Sequence, residues 1–354
     1  MAIRPRLVTI LALGLLPGGV AAAQAPRDTL RVVVVGDINL ARAVARTYLV
    51  PGRGAEIFAA VRGALHAADL AVGNLESLVL DRGTLTDTAY SPVFAAPRPA
   101  AALLRDAGFA VVGTANNHAW DFERAGLLES LAHLDSAGVA HTGTGPSVED
   151  ALRPAVVRRR GWTIAIFAVT AIFNYPDLVV RGHAAECCVA WADTSRLREA
   201  FAAARSAGAD LVLVLLHAGL EYRAVPPRDV VAVARGLVRA GADAVFGAHP
   251  HVPQGLEWVD GKPILYSLGN LVFVQHRPWT NRGLWVEYLV APDGRATVQL
   301  RPVVAAARPR FATGRDSAAV MRHVRAVSDS LAALPQARGR RNVAPRPNAP
   351  RRIR

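Results

Sequence analysis

Two imidazoles stand two residues apart in Gly247-Ala-His249-Pro-His251, directly after the apolar run Ala244-Val-Phe246. Neutral imidazole nitrogens are frequent metal ligands, and a loop leaving a buried strand can aim both at one point. Other apolar runs end the same way. Asp37 follows Val32-Val-Val-Val35, Asn74 and Glu76 follow Leu70-Ala-Val72, Asn117 and His118 follow Phe109-Ala-Val-Val112, and His217 follows Leu211-Val-Leu-Val-Leu-Leu216. Imidazole nitrogen with carboxylate and amide oxygen is a donor set for divalent cations, and two such ions about 4 Å apart clamp a phosphoryl group and activate water between them. Each residue alone has an ordinary explanation as a turn, cap or core polar group. Their joint occurrence at five strand ends points to one cluster.

Those positions need strands to carry them and helices to cover the strands. Apolar runs predict strands at 30–35, 70–73, 109–112, near 139, at 211–216 and at 244–246, and amphipathic spacing predicts helices over 55–67, 100–107, 123–136, 195–207 and 228–240. Residues 81–99 carry turn residues without a period and read as a long loop. Runs 154–157 and 163–169 read as a hairpin turned by Arg158-Arg-Arg-Gly161. Strands at 255–259, 264–267, 284–290 and 296–303 follow, with turn signals at Asp260-Gly261 and Asp293-Gly294, and a helix over 317–334 closes the series. Alternation followed by consecutive strands predicts an α/β fold, a layered sandwich of β-sheet covered by helices. Ligands of such sheets gather beyond the carboxyl ends of the strands, where every candidate falls.

A chain of 354 residues with 52% hydrophobic content can bury a substantial core. No Gly-, Ser- or Pro-rich linker divides it before residue 335, so one domain is expected over 26–334. Residues 1–25 read as a secretory signal: Arg4 and Arg6, an apolar run at 7–16 too short to span a bilayer, then Ala21-Ala-Ala23. Export to a periplasmic or extracellular location is the expectation, with an uncleaved anchor as the alternative. The formal charge is +13, but residues 335–354 hold seven arginines and no acid, and removing these and the leader's two leaves +4 for the core. The Pro/Arg tail reads as a solvated, disordered segment, with loose contact to a membrane or polymer as its alternative use. Nucleic acid ranks well below the other partners, given export and so mild a core charge. Cys187 and Cys188 are the only cysteines and are adjacent, which excludes a disulfide framework and a cysteine-based zinc site.

Six motifs in order over about residues 30 to 300 carry a family resemblance: Gly36-Asp-Ile-Asn-Leu-Ala-Arg42, Gly73-Asn-Leu-Glu76, Ala115-Asn-Asn-His-Ala-Trp-Asp121, His217-Ala-Gly-Leu-Glu-Tyr222, Gly247-Ala-His-Pro-His-Val252 and Tyr266-Ser-Leu-Gly-Asn-Leu-Val-Phe273. Together they resemble the CapA family, which is linked to poly-γ-glutamate capsule synthesis and has the calcineurin-like metallophosphatase fold, a four-layer α/β/β/α sandwich. The resemblance implies one or two divalent ions (Mn, Fe or Zn), with Asp37 and His251 toward one, and Asn117, His217 and His249 toward the second. Glu76 is similar in place to the bridging carboxylate, with Asn74 as the alternative. His118 is implied as a general acid or electrostatic stabiliser, an imidazole proton being available near neutral pH. Phosphatases of this fold carry His two residues after the first Asp, whereas Asn39 stands here, which implies a weakened first site. Their Gly-Asn-His appears as Asn116-Asn117-His118.

Six further residues belong to these motifs. Asp121 either hydrogen-bonds His118 or, by slight preference, caps a helix starting near Phe122. Glu221 either contacts substrate or orients a ligand, with a structural carboxylate equally in view. Asn39, Asn74 and Asn116 complete the substrate-side candidates together with Asn270, which either lines the cleft or is a turn residue beside Gly269. Tyr222, Trp120 and Trp279 are candidate cleft walls, with ordinary aromatic packing as the alternative.

Two functions follow. The first is an exported, metal-dependent hydrolase acting on a phosphoester or an amide-type bond of an anionic envelope polymer. The second is a non-catalytic component of poly-γ-glutamate synthesis or export, holding the polyanion in the same cleft.

Overall fold

The computed structural model describes residues 27–83, 93–174 and 188–334 and the backbone of 346–347. The leader, nearly all of the Pro/Arg tail and Cys187 lie outside the described residues; Cys188 is buried, its thiol 3.2 Å from the Pro146 carbonyl. The strands are β1 (Leu30–Ile38), β2 (Leu70–Leu75), β3 (Leu78–Leu80), β4 (Ala95–Pro97), β5 (Val111–Gly113), β6 (Ala140–Thr142), β7 (Ala155–Arg159), β8 (Trp162–Thr170), β9 (Ile172–Phe173), β10 (Leu211–His217), β11 (Ala244–Ala248), β12 (Leu256–Val259), β13 (Lys262–Leu265), β14 (Asn270–Val272), β15 (Arg282–Val290), β16 (Ala296–Val304) and β17 (Arg310–Phe311). The helices are α1 (Arg42–Val44), α2 (Arg62–His66), α3 (Pro99–Ala107), α4 (Glu123–Ala137), α5 (Val148–Ala151), α6 (Thr194–Ser206), α7 (Arg228–Ala240) and α8 (Gly314–Ala332).

Two sheets organise the chain. The first runs β17-β16-β15-β1-β2-β5-β6, with β14 also paired to β1; the second runs β12-β13-β11-β10-β8-β7. In each sheet the central strands are parallel (β1, β2, β5 and β6; β8, β10, β11 and β13), so their carboxyl ends lie along one rim. Successive side chains of a strand point to opposite faces, and the second sheet shows what each face meets. Ile164, Ile166, Leu213 and Leu215 enter the core shared with β1 and β2, whereas Phe167, Val169, Val212 and Val214 pack on Leu197 and Phe201 of α6 and Leu237 of α7. Burial on both faces is why these strands read as unbroken apolar runs. Helices α2, α3 and α4 cover the first sheet through Leu65, Leu104, Leu127 and Leu134, completing a helix, sheet, sheet, helix layering. The sheets meet so closely that a Cβ at Gly113 would lie 2.7 Å from Leu215 Cδ1.

The layered α/β class expected from the sequence is the one that forms. The hairpin of β7 and β8 closes through Arg160 and Gly161, both at positive φ, as a two-residue primed turn requires. Three local expectations differ. The helix expected over 55–67 is a 3-10 turn at Gly54–Glu56 and the five-residue α2, because Ile57, Phe58, Val61 and Leu65 bury one side without a continuous helical ladder. Within the loop expected over 81–99, β4 pairs in parallel with β3; Ala-Ala-Pro has no strand propensity of its own, so tertiary pairing decides it. Asn270 opens β14, which joins β1 in register Asp37 to Asn270.

Candidate metal centre

Each site residue owes its position to a strand end. Asp37 is the penultimate residue of β1, where a register irregularity between Val35 and Asp37 turns it away from strict alternation. Gly36 permits this, because a Cβ there would lie 1.8 Å from the Gly269 carbonyl oxygen, which accepts the Asp37 amide at 3.0 Å. Glu76 is the first residue after β2, and its amide donates to the Ile38 carbonyl at 2.9 Å. Asn116, Asn117 and His118 follow β5, His217 ends β10, and His249 and His251 follow β11. The last two have φ of 95° and 60°, a left-handed conformation that non-glycine residues hold only when the surroundings over-determine it.

The strand ends converge. Asp37, Glu76 and His251 offer ligand atoms within 4.8 Å of one another, and so do Glu76, His217 and His249. Glu76 belongs to both groups: Oε1 is 3.6 Å from His217 Nε2 and Oε2 is 3.8 Å from His251 Nδ1. His251 Nδ1 is also 3.2 Å from Asp37 Oδ2, and the rings of His217 and His249 are 4.8 Å apart. Asn117 Oδ1, 2.8 Å from His217 Nε2, falls on the His217 side. Of the two alternatives left open by the sequence, Glu76 is common to both carboxylate and imidazole groups. Asn74 also lies between Asp37 and His217, its amide nitrogen donating to Asp37 Oδ1 at 2.8 Å and lying 3.2 Å from His217 Nδ1.

Asp37, Glu76, His217, His249 and His251 are all at least 98% buried. Yet both oxygens of Glu76 and both ring nitrogens of His249 lack a hydrogen-bond partner among the described residues. An unsatisfied buried polar group costs on the order of 1–3 kcal/mol, and orphaned donor atoms around a common point are what a bound cation satisfies. Burial, then the neighbouring charge of Asp37, pushes the Glu76 carboxyl well above the usual range. Burial and the adjacent imidazoles hold His217 well below an ordinary histidine, and burial with His251 brings His249 down to about 3. Both imidazoles are thus uncharged at neutral pH, and a cation between them would return Glu76 to its anionic form. The donor set fits a divalent ion.

The remaining candidates sort by what they touch. The preference for Asp121 as a helix cap is corrected: α4 has no side-chain cap, and Asp121 Oδ2 accepts from His118 Nδ1 at 2.7 Å and from the Phe94 amide at 2.7 Å. Asn116 spends its side chain internally, donating to the Leu75 carbonyl at 2.9 Å and accepting the His118 amide at 3.1 Å. Asn270 opens β14 rather than standing in a turn; its Oδ1 lies 3.0 Å from His251 Nδ1 and its amide donates to the Thr280 carbonyl at 2.9 Å. Asn39 differs, since its Oδ1 accepts the Ala41 amide at 2.9 Å while its buried Nδ2 has no partner among the described residues. Glu221 is half-buried and adds its charge to the field at Glu76.

Of the expected aromatic walls, Tyr222 lies near His251, ring centroids 6.0 Å apart, whereas Trp279 packs on His323 and Trp120 on the core. Sequence reasoning missed Phe94, stacked 4.0 Å from His118, and Phe273, 4.9 Å from His251. It also missed Asn174, whose Oδ1 accepts from Asn117 Nδ2 at 3.1 Å. No local spacing marks Phe94 or Asn174, but Phe273 closes one of the quoted motifs.

Two facing sheets that gather a buried carboxylate and imidazole cluster at their rims define a layered α/β protein with a site suited to divalent metal. Residues 31–275 match the family model of the bacterial capsule synthesis protein PGA_cap, and the chain belongs to that family. It is 30% identical over 281 residues to the PGA biosynthesis protein CapA of Bacillus subtilis, covering 78% of this chain and 72% of that one. It is 28% identical over 283 residues to the capsule biosynthesis protein CapA of Bacillus anthracis, covering 78% and 67%. A probable polyglutamine synthesis accessory protein of Mycobacterium tuberculosis is 31% identical over 218 residues, covering 58% and 56%. Among solved structures, the sulfate thiohydrolase SoxB of Thermus thermophilus aligns at a TM-score of 0.42 and 16% identity, over 80% of this chain and 46% of that one.

Proposed function

We propose that this protein is an exported, metal-dependent hydrolase acting on a phosphoester or amide-type bond in an anionic envelope polymer, poly-γ-glutamate being the polymer suggested by the names of its relatives. The observation that carries this reading is Glu76, buried, without a partner among the described residues, and common to two ligand groups. Asp37, Glu76 and His251 would hold one ion, and Glu76, His217, His249 and Asn117 a second. Mixed imidazole and oxygen donors suit Mn²⁺, Fe or Zn²⁺. When bound, such ions supply Lewis acidity to the scissile group and acidify water.

The protein's own side chains do the rest. The hydrogen bond to Asp121 fixes the His118 ring with Nδ1 as donor, leaving Nε2 to pass a proton to the leaving group. Asn74 and Asn270 hold Asp37 and His251 in place, and the buried Nδ2 of Asn39, without a partner among the described residues, is a donor that would meet substrate. Export rests on the sequence of residues 1–25; among the described residues no helix is long and apolar enough to cross a membrane.

Mature protein loaded with Mn²⁺ is expected to cleave a model phosphodiester or shorten poly-γ-glutamate, and His118→Ala to abolish turnover while retaining the metal. Full activity after exhaustive metal stripping contradicts the reading. A second reading, a non-catalytic holder of the polymer, is favoured by Asn39, an amide where the resemblance leads one to expect an imidazole. Polymer binding that survives metal removal, without turnover of either substrate, selects it.

A further inference from the structure

Asn117 brings an amide to the group formed by Glu76, His217 and His249, and the two ends of an amide differ in kind. The oxygen can serve a cation, whereas the NH2 is a donor and cannot. The two ends are nearly equal in size, so shape alone does not choose between them. In the structure both ends are engaged. Oδ1 lies 2.8 Å from His217 Nε2, the nitrogen that also stands 3.6 Å from Glu76 Oε1, and Nδ2 donates to Asn174 Oδ1 at 3.1 Å. Asn174 follows β9, where the backbone is built on His217 itself. The Ala171 amide donates to the His217 carbonyl at 3.0 Å. The Thr170 hydroxyl lies 3.1 Å from that same carbonyl and 2.7 Å from the Ile172 carbonyl, and it accepts the Ile172 amide at 3.1 Å. Thr170, Ile172 and Phe173 are buried, and Phe173 packs edge-on against Trp191, ring centroids 5.5 Å apart. Contacts thus run without a break from the backbone of His217 to the side chain of Asn117.

We infer that Asn174 is a positioning residue: its side-chain oxygen fixes the Asn117 amide with Oδ1 toward Glu76, His217 and His249, and the segment 170–174 keeps that amide in step with the His217 ring. An amide oxygen accepts and does not donate. Asn174 Oδ1 therefore pairs with Asn117 Nδ2 and opposes the flipped amide, which would set two oxygens against each other with no proton between them. Hydrogen-bond partners one step removed from a cation orient its ligands in this way, as a carboxylate or carbonyl orients a ligating imidazole. Asn174 thus selects which end of Asn117 the site presents, and β9 supplies the rigidity that the selection needs. The inference goes beyond the hydrolase reading. It rests only on that reading's claim that the site takes a cation, and it is tested without turnover.

The experiment measures Mn²⁺ binding to the full chain by equilibrium dialysis, with the thermal midpoint of the chelated protein read on every variant. Asn174→Leu, close in shape but without an acceptor, is expected to weaken one binding step by about 10- to 100-fold and to leave the other unchanged. Asn174→Asp keeps an acceptor oxygen and is expected to recover most of that loss, which a space-filling role does not allow. Asn117→Asp presents oxygen at either end, so in that background Asn174→Leu is expected to cost less than about threefold, a non-additivity that marks the two residues as one unit. If Asn174→Leu fails to fold, the smaller Asn174→Ala takes its place in both backgrounds. Unchanged affinity of Asn174→Leu at both steps overturns the inference and leaves the metal centre standing. Equal weakening of both steps, an equal loss in Asn174→Asp, or an equal loss in the Asn117→Asp background also overturns it. A wild type that binds no Mn²⁺ removes the metal centre itself, and the inference with it.

Discussion

Asp121 accepts two hydrogen bonds at one oxygen, from the imidazole of His118 and from the backbone of Phe94, each 2.7 Å long. The ring that stacks on His118 is therefore tied to the carboxylate that orients it. Asp121→Asn replaces the acceptor by an amide and releases the ring's orientation. On metal-loaded protein kcat is expected to fall roughly 10- to 100-fold, the scale seen for partners that orient site imidazoles, with metal content intact. An unchanged kcat and pH profile would show that Asp121 does not serve His118.

Asn270 bears on one ligand group only, because its amide oxygen holds His251. Asn270→Ala is expected to weaken the ion held by Asp37, Glu76 and His251 by about 10- to 100-fold, while the ion beside His217 and His249 is retained. Equilibrium dialysis against graded Mn²⁺ reads this as a weakening of one binding step with the other unchanged. Two equally weakened sites would mean that the side chains do not divide as the distances indicate.

The raised Glu76 carboxyl sets a pH dependence for the metal-free protein. In the unfolded chain the group ionises near 4.5, whereas in the fold burial and Asp37 keep it protonated well above that. Over this interval the folded state binds the extra proton, so the contribution to stability falls as pH rises from about 4.5. Glu76→Gln removes that penalty. After chelation the variant is expected to melt above wild type at pH 8 and level with it at pH 4.5. Saturating Mn²⁺ is expected to reverse the order at pH 8, since only the carboxylate gains from the ion. Parallel melting curves at all pH values would remove the buried, partnerless Glu76 from the account.

Gly36→Ala tests the strand end rather than the ligands. The added methyl would stand 1.8 Å from the Gly269 oxygen, so the backbone carrying Asp37 must move. A loss of about 3 kcal/mol is expected from overpacking of this kind, read by urea unfolding. A loss below about 0.5 kcal/mol, the scale of a neutral surface change, would place Asp37 on a more yielding segment.

The catalogue of ligands was legible because each sits where an apolar run stops, and a parallel sheet brings such stops to one rim. His217 and the pair His249 and His251 needed only that rule, and α7 was read to the residue from its apolar spacing. What could not be read was the partition of the asparagines. Asn74, Asn116, Asn117 and Asn270 look alike in sequence, and only contacts across strands show that Asn74 and Asn270 brace site side chains, Asn116 holds backbone groups and Asn117 faces His217. Asp121 was misjudged for the same reason: a residue before a helix reads as a cap, and the competing partner three residues back wins through tertiary packing. The 55–67 segment failed because burial of four apolar residues does not require the backbone between them to be regular.

Under the proposed function Glu76 would serve both ion sites. Metal content per chain, measured by elemental analysis on untagged mature protein equilibrated with Mn²⁺ or Zn²⁺, tests it most directly when wild type and Glu76→Ala are compared. Two ions per chain in wild type and fewer than one in the variant are expected, because removing one carboxylate depletes both ligand groups. A wild type that retains no ion, or a variant that still binds two, contradicts the claim.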